Sequence, residues 1–394
     1  MSIDTREKEK IKLLYVLNTT QRFNNFAYSS YLAASEMNID FHIAGNWTGY
    51  ENIDEKRKDE EKYGIRIHQI DFIRNPLDPR NLKAYKQLTD LITREGFDAI
   101  HCNTPIGGVA GRLAGKKCGV DIILYQAHGF HFYKGAPTIN WLLYYPIEKW
   151  LSHYTDALIT INKEDYECAK EKFHLRNSGK SYYVPGVGID EIIYENKTDN
   201  RDEKRRELGL EESDVMLISV GDLIERKNYL TAIDAICKAN NQNIKLYICG
   251  EGPQRTTLEK AVCDKGLNNK VFFLGHRTDI ANLLYAADIY LFTSLQEGLP
   301  RSLMEAMACG LPCIASKIRG NIDLLSEDTG ILVEATDSQG FANAIDCLSQ
   351  NVKRMSLMGL KCKERIRFFN IDSAKKAMTE VYNNEIKDDR NIPE

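Results

Sequence analysis

The 394-residue chain has no apolar run approaching the roughly eighteen residues that a membrane-spanning helix needs. Its first segment, Met1 to Lys12, is charged and lacks the apolar stretch of a secretory signal, so the expected location is the cytoplasm. Cysteine pairs are missing too: Cys102, Cys118, Cys168, Cys237, Cys249, Cys263, Cys309, Cys313, Cys347 and Cys362 are scattered singly, with no CxxC and no histidine cluster. That pattern excludes a disulfide framework and a zinc ribbon, and leaves reduced structural thiols. There is no excess of positive charge. With 52 Lys and Arg against 56 Asp and Glu, the net charge is -4, and a protein that neutralises many phosphates of a nucleic acid is not expected. Prolines number only 10, and charged residues make up 27% beside 43% hydrophobic, a balance that excludes a disordered or fibrous chain.

What the chain does have is length and rhythm. A chain of this size exceeds one hydrophobic core, so two domains are expected. Short apolar runs alternate with longer amphipathic stretches, the pattern of βα units feeding a parallel sheet, and the pattern occurs twice. In the first half, strands are predicted near Lys12 to Asn18, Ile39 to Ala44, Ile65 to Ile70, Ala99 to Cys102, Ile122 to Gln126 and Ala157 to Ile161, with Tyr182 to Pro185 closing it. Gly186 to Glu212 is polar and charge-dense, as a linker would be, which puts a boundary near Pro185. The second half restarts at Val215 to Val220. It continues with Lys245 to Cys249, Val271 to Leu274, Ile289 to Phe292, Pro312 to Ala315 and Ile331 to Val333.

The run SLQEGLPRSLMEAMACGLPCIAS, Ser294 to Ser316, resembles the glutamate-x7-glutamate segment of the retaining glycosyltransferases of family 4, which have the GT-B fold. GDLIERKN (Gly221 to Asn228), GEGP (Gly250 to Pro253), FFLGHRTDI (Phe272 to Ile280) and AADIYLF (Ala286 to Phe292) follow in that family's order and spacing. In the first half the resemblance rests on AHGFHFYKG (Ala127 to Gly135) and PGVGID (Pro185 to Asp190). One loop departs from the pattern. Many relatives carry a glycine pair after the first strand, where this chain has NTTQRFNN, Asn18 to Asn25; such variation is seen in relatives that extend lipid-linked oligosaccharides.

The resemblance implies an α/β protein of GT-B type. It places an acceptor-binding Rossmann-like domain over residues 1–185, a donor-binding one over 186–370, and the active site in a cleft between them. The segment 371–394 would carry a helix, Ile371 to Ile386, that returns to the first domain. The implied reaction is retaining transfer of a sugar from a nucleotide-sugar donor, with UDP the expected nucleotide, to a glycan acceptor. That acceptor is expected to be a polyprenyl-diphosphate-linked sugar in capsule or exopolysaccharide synthesis. No cofactor is expected.

Such a reaction builds negative charge on a diphosphate and positive charge on the sugar ring. No Asp-x-Asp motif follows any predicted strand, so no metal site is expected and the charge falls to side chains and backbone. Arg226 and Lys227 sit just past a strand end, where ligands bind in open α/β folds. Two cations at a helix start oppose its dipole, so they call for another reason; by resemblance they contact the diphosphate. Pro300, Gly310 and the apolar Leu303, Met304, Met307 and Ala308 predict a helix over 300–309. Its free N–H groups suit phosphate oxygens, and the donor-binding stretch is Gly298, Leu299, Pro300, Arg301, Ser302 and Leu303.

By resemblance Glu297 binds sugar hydroxyls and Glu305 the ribose, the bland alternative for Glu305 being a carboxylate in a helical ion pair. Gly221, Gly250 and Gly252 allow close backbone approach to the donor. Arg277 follows a strand end where the family holds the nucleobase; a surface arginine is the alternative. His128 follows the strand Ile122 to Gln126, and its HG context matches a histidine that contacts the transferred sugar, although a lone histidine is more often structural. His131 lacks companions for a metal site. His128, Arg226, Lys227 and Glu297 are thus the catalytic candidates. Retention without a nucleophile fits a front-face mechanism, in which the departing phosphate takes the acceptor's proton, and Glu297 and Glu305 are not a glycosidase pair.

FHFYKGAPTINWLLYYPIEKW, Phe130 to Trp150, mixes aromatic and aliphatic residues with Lys134 and Lys149. It resembles an interfacial helix that would make peripheral contact with the inner membrane leaflet, and a helix packed in the domain core is the competing reading. Rival functions are a nucleotide-sugar epimerase or a phosphorylase on the same plan, and a non-catalytic nucleotide-sugar-binding subunit.

Overall fold

The short runs rich in Val, Ile, Leu and Tyr that are predicted as strands form strands in the computed structural model. It describes residues 10–23, 25–50, 53–194 and 201–386. Seven parallel strands make the first sheet: β1 (Lys12–Thr20), β2 (Asp40–Trp47), β3 (Arg66–Gln69), β4 (Ala99–Asn103), β5 (Ile122–Ala127), β6 (Ala157–Thr160) and β7 (Lys180–Tyr183). Their order is β3-β2-β1-β4-β5-β6-β7. Six make the second: β8 (Val215–Val220), β9 (Ile244–Cys249), β10 (Val271–Gly275), β11 (Ile289–Phe292), β12 (Cys313–Ser316) and β13 (Gly330–Val333), in the order β10-β9-β8-β11-β12-β13. Both sheets reverse direction of winding beside their first strand, between β1 and β4 and between β8 and β11. Those switch points are where open α/β sheets place ligands.

Helices cover both faces of each sheet, so the strands are apolar on both sides. Along β8, Met216 and Ile218 enter one cluster and Leu217 the other; along β11, Tyr290 and Phe292 oppose Ile289 and Leu291. Each such side chain, fully buried, contributes about 1.5–3 kcal/mol.

The chain divides into two units, Met1–Gly188 with Ile371–Glu394, and Ile189–Asn370. The division falls after Gly188, three residues beyond the boundary predicted at Pro185. Ile189 is buried, and its N–H donates to the Phe369 carbonyl at 3.0 Å, which fixes the start of the second unit. In the first unit, helix α15 (Ile371–Glu385) buries Ala374, Met378, Val381 and Tyr382, one face at helical spacing, and packs on α1 (Asn25–Glu36). The Tyr382 hydroxyl lies 2.8 Å from His101 Nδ1 on β4, so the last helix is pinned by a buried polar contact as well as by its apolar face. Residues 1–9 and 387–394 of the expected domains lie outside the described residues, as does Asn24 of the NTTQRFNN loop. The start of that loop continues β1 as far as Thr20.

One helix boundary is corrected. The glutamate-segment helix, α11, runs Arg301–Ala308, and Pro300 precedes it with extended backbone (φ −76°, ψ 117°) as its N-cap. Phe130 to Trp150, for which an interfacial and a core reading compete, divides between core and surface. Phe130 and Phe132 are buried and their rings stack at 4.8 Å, and the helix, α5 (Thr138–Ser152), turns Trp141 and Tyr145 onto the core around Phe132. Aromatic rings there bury more apolar area inward than they could expose. Leu142, Leu143, Ile147 and Trp150 are left exposed. No helix among the described residues is long and apolar enough to cross a membrane.

Candidate functional site

At the switch point of the second sheet, three predicted side chains meet. The chain leaves β8 through Gly221 and forms a single 3-10 turn, Glu225–Lys227, before helix α8 (Tyr229–Lys238). Asn228 closes the turn in the left-handed region (φ 54°), and its side-chain N–H groups donate to the carbonyls of Thr293 (3.1 Å) and Ala335 (2.8 Å). The loop after β11 is thereby tied to the turn. As a result Lys227 Nζ lies 2.8 Å from Glu297 Oε1, and Arg226 Nη1 lies 2.8 Å from the same oxygen. The Ser294 hydroxyl also donates to it at 2.7 Å. Glu297 is 10% and Lys227 12% exposed, whereas Arg226 is 40% exposed, so the lysine contact is the better shielded of the two.

Sequence reasoning gave Arg226 and Lys227 to the diphosphate and Glu297 to the sugar; the structure brings all three into one cluster. The positive charge expected at the diphosphate is partly met by a carboxylate. A pair of cations sharing one anion keeps a net positive charge there.

Glycine is required where the backbone folds on itself beneath this cluster. At Gly250 (φ 147°) an added Cβ would stand 2.0 Å from the Gly221 carbonyl oxygen, and at Gly252 one would stand 2.5 Å from that of Leu223. The loops after β8 and β9 therefore pack without side chains between them. Gly221 (φ 154°) lies against Lys227, with 3.1 Å from a built Cβ to the lysine Cε.

The first turn of α11 offers the free N–H groups expected of Arg301, Ser302 and Leu303. The Leu303 side chain is fully buried in the core, so only its backbone can serve a ligand. Glu305, one turn on, accepts from Arg301 Nε at 2.9 Å. This is the helical ion pair weighed against a binding role, and in the described structure it occupies the carboxylate. Tyr194 also bonds Glu305, and burial together with that carboxylate raises the phenol well above its ordinary range. Arg277 is held by Asp279 (2.7 Å) and Glu207 (3.2 Å), and Asp279 is shared with Lys204 at 2.9 Å. Its guanidinium is thus held between two carboxylates.

The first unit has its own constellation at its switch point. His128 follows β5, and its Nε2 lies 2.5 Å from Oδ1 of Asn103 at the end of β4. An amide oxygen can only accept, so Nε2 carries the proton and Nδ1 has a lone pair. Burial pushes the His128 pKa down to about 4, so the ring is neutral at pH 7. Asn103, which sequence reasoning missed, is fully buried, and its amide nitrogen has no partner among the described residues. The available signal was its place: an amide side chain at the last position of a buried strand, AIHCN. Beside His128 opens a cavity of about 850 Å³, walled by β5, α5, α4 (Pro105–Cys118) and the start of α3 (Arg80–Glu95). No group of three or more His, Cys, Asp or Glu side chains placed to hold a metal occurs among the described residues.

Known proteins resemble the chain throughout. A family model described as glycosyl transferases group 1 matches residues 200–365, and one described as glycosyl transferase 4-like matches 12–162. EpsD of Bacillus subtilis (strain 168), whose glycosyltransferase name is provisional, is 34% identical over 94% of this chain and 96% of its own. An Escherichia coli enzyme named UDP-Gal:alpha-D-GlcNAc-diphosphoundecaprenol alpha-1,3-galactosyltransferase is 31% identical over 74% of this chain and 76% of its own. Among solved structures, Anabaena Alr3699/HepE in complex with UDP and glucose superimposes with a TM-score of 0.78 at 18% identity, over 95% of this chain and 100% of that one.

Proposed function

Since the chain belongs to the family 4 glycosyltransferases of GT-B fold, we propose that it moves a sugar, with retention and without a metal ion, from a UDP-sugar to a polyprenyl-diphosphate-linked saccharide. The observation that carries this reading is the cluster of Arg226, Lys227 and Glu297 at the switch point of the second sheet.

In the proposed reaction the bond between the sugar C1 and the β-phosphate oxygen breaks. Lys227, Arg226 and the first-turn N–H groups of α11 meet the charge that develops on the leaving diphosphate. Donor binding would displace part of the Glu297 contact with Lys227, freeing the carboxylate to accept from sugar hydroxyls as the lysine turns to phosphate. The acceptor oxygen bonds to C1 on the face the diphosphate leaves, and its proton passes to a leaving phosphate oxygen. Neutral His128, with its Nδ1 lone pair held out by Asn103, would accept from a hydroxyl of the transferred sugar. Glu305 would release Arg301 to bind the ribose.

UDP is favoured because the relatives named above include one that uses UDP-galactose and one solved with UDP. The lipid-linked acceptor is favoured by the first of these, which acts on a diphosphoundecaprenol saccharide. A screen of radiolabelled UDP-sugars and GDP-sugars against membrane lipid extracts tests the reading. Label moving from one UDP-sugar into the lipid phase supports it; labelling from GDP-sugars alone, or none from any donor, overturns it.

A further inference from the structure

The 850 Å³ cavity of the first unit has a composition that the transfer chemistry alone does not call for. Its walls are apolar over most of their area, with Leu77, Leu82, Ile106, Val109, Phe132 and Ile147 contributed by four separate segments. Such a volume and lining belong to a site that encloses an organic ligand. At its open side, Leu77 is 89% and Leu82 74% exposed. Ile147 lies one helical turn from the exposed Leu143 on α5, so apolar surface continues outward from that wall of the cavity. Contiguous exposed apolar area of this kind marks a binding surface.

The charges on the walls are unequal. Glu148 is taken by Arg112 (2.8 Å) and by the Tyr125 hydroxyl (3.3 Å), and Asp78 is taken by Arg80 (2.7 Å). Arg74, exposed at the rim of the cavity, has no carboxylate partner among the described residues. The walls therefore offer hydrocarbon and one uncompensated cation, beside the imidazole of His128. An amphiphile with a hydrocarbon body and an anionic head complements all three. A sugar alone would leave the apolar walls unmatched, and a saturated lipid without phosphate would leave Arg74 unmatched.

We propose that this cavity is the lipid-recognition site of the acceptor, taking the first isoprene units of a polyprenyl diphosphate against Val109, Leu82 and Phe132 and its diphosphate against Arg74. The inference rests on the transferase reading, because it is the nearness of His128 that turns a lipid site into an acceptor site.

Calorimetry on the full chain with farnesyl diphosphate, inorganic diphosphate and farnesol as probes tests it. Farnesyl diphosphate should bind at least about tenfold more tightly than inorganic diphosphate, since three isoprene units add apolar burial. Val109→Trp, which fills the cavity, and Leu82→Asp, at the exposed rim and harmless to the core, should each weaken farnesyl diphosphate by about tenfold or more. Arg74→Gln should weaken farnesyl diphosphate about fivefold and leave farnesol unchanged, the worth of one charge-assisted contact. Equal binding of farnesyl diphosphate by native protein, Val109→Trp and Leu82→Asp overturns the proposal, as does binding no tighter than inorganic diphosphate. A dimer that Leu82→Asp dissolves, with no effect on farnesyl diphosphate, also overturns it and makes the patch a contact between copies. Titration of the same samples with UDP separates the two levels: UDP bound without farnesyl diphosphate sinks the lipid site and leaves the transferase standing, whereas failure to bind or turn over any UDP-sugar sinks both.

Discussion

Lys227→Ala removes the better shielded of the two cations at the proposed donor site. Its Nζ sits 2.8 Å from Glu297 and its side chain is 12% exposed, so little of its field is lost to solvent. Removing one preorganised donor from a site that stabilises developing charge costs about 2.7–4 kcal/mol, or roughly 10²–10³ in kcat. Arg226 contacts the same carboxylate oxygen and remains in the variant, so the loss should fall at the lower end, near 10². Arg226→Ala should cost less, about tenfold, because its side chain is 40% exposed and its charge is screened. Stability should change little in either variant, since Glu297 keeps one cation and the Ser294 hydroxyl. Initial-rate measurement of UDP release under saturating donor gives kcat directly, and calorimetry with UDP shows whether the donor domain is intact. A Lys227→Ala loss below about threefold, roughly 0.65 kcal/mol, would show that this lysine does not face the leaving group.

Transfer should continue in excess EDTA, and loss of turnover restored by magnesium or manganese would refute metal-free charge stabilisation. Glu305→Ala should weaken free UDP as well as the donor, while Glu297→Ala should spare UDP and harm only sugar-donor binding; calorimetry separates them, and equal UDP binding by both variants would contradict the division. Acid should loosen the first unit before the second. His128 and His68 are pushed down to about 4 and His101 to about 3 by burial, and His42 is lowered by the same cause. Their folded values lie below the unfolded 6.5, so the unfolded chain binds more protons and stability falls as pH drops from about 6.5 toward 4. Urea unfolding at pH 7 and pH 5 should show a lower midpoint at pH 5, and an unchanged midpoint would mean that these rings are not buried neutral. Asn103→Ala should release His128 from its Nε2–H tautomer, read by nitrogen NMR of the ring, and reduce kcat more than KM; an unmoved tautomer ratio would show that Asn103 does not position the ring. Native protein should sediment with anionic liposomes at low salt more than a Leu142→Ser, Leu143→Ser variant does. Equal sedimentation would show that these exposed side chains do not meet lipid.

The repeated βα rhythm made both sheets legible, because strands covered on both faces carry apolar residues at every position and stand out from their flanking helices. The short helix after Glu297 was legible to within one residue, its start shifted because a proline can cap a helix from outside as well as open it from within. Motif spacing marked Arg226, Lys227 and Glu297 but not their meeting on one oxygen, which depends on Asn228 bonding to Thr293, 65 residues further along the chain. Asn103 was out of reach for the same reason. It lies 25 residues before His128, and only the pairing of β4 with β5 brings them together. Phe130 to Trp150 left two readings open because composition does not tell which way a ring points: Phe132 and Trp141 close on each other at 5.4 Å, while Leu142 beside them faces outward. The cavity had no signature in the sequence, since its walls come from residues as distant as Arg74 and Glu148.

Sugar transfer with retention is tested most directly by the product itself. The native protein, in EDTA, is incubated with a panel of UDP-α-sugars and a short-chain polyprenyl diphosphate bearing one sugar, and the anomeric proton of the new linkage is read by NMR. An α-linked disaccharide formed from one donor, with one UDP released per linkage made, is the expected result. A β-linked product, free sugar in place of a linkage, or no product without added metal would contradict it.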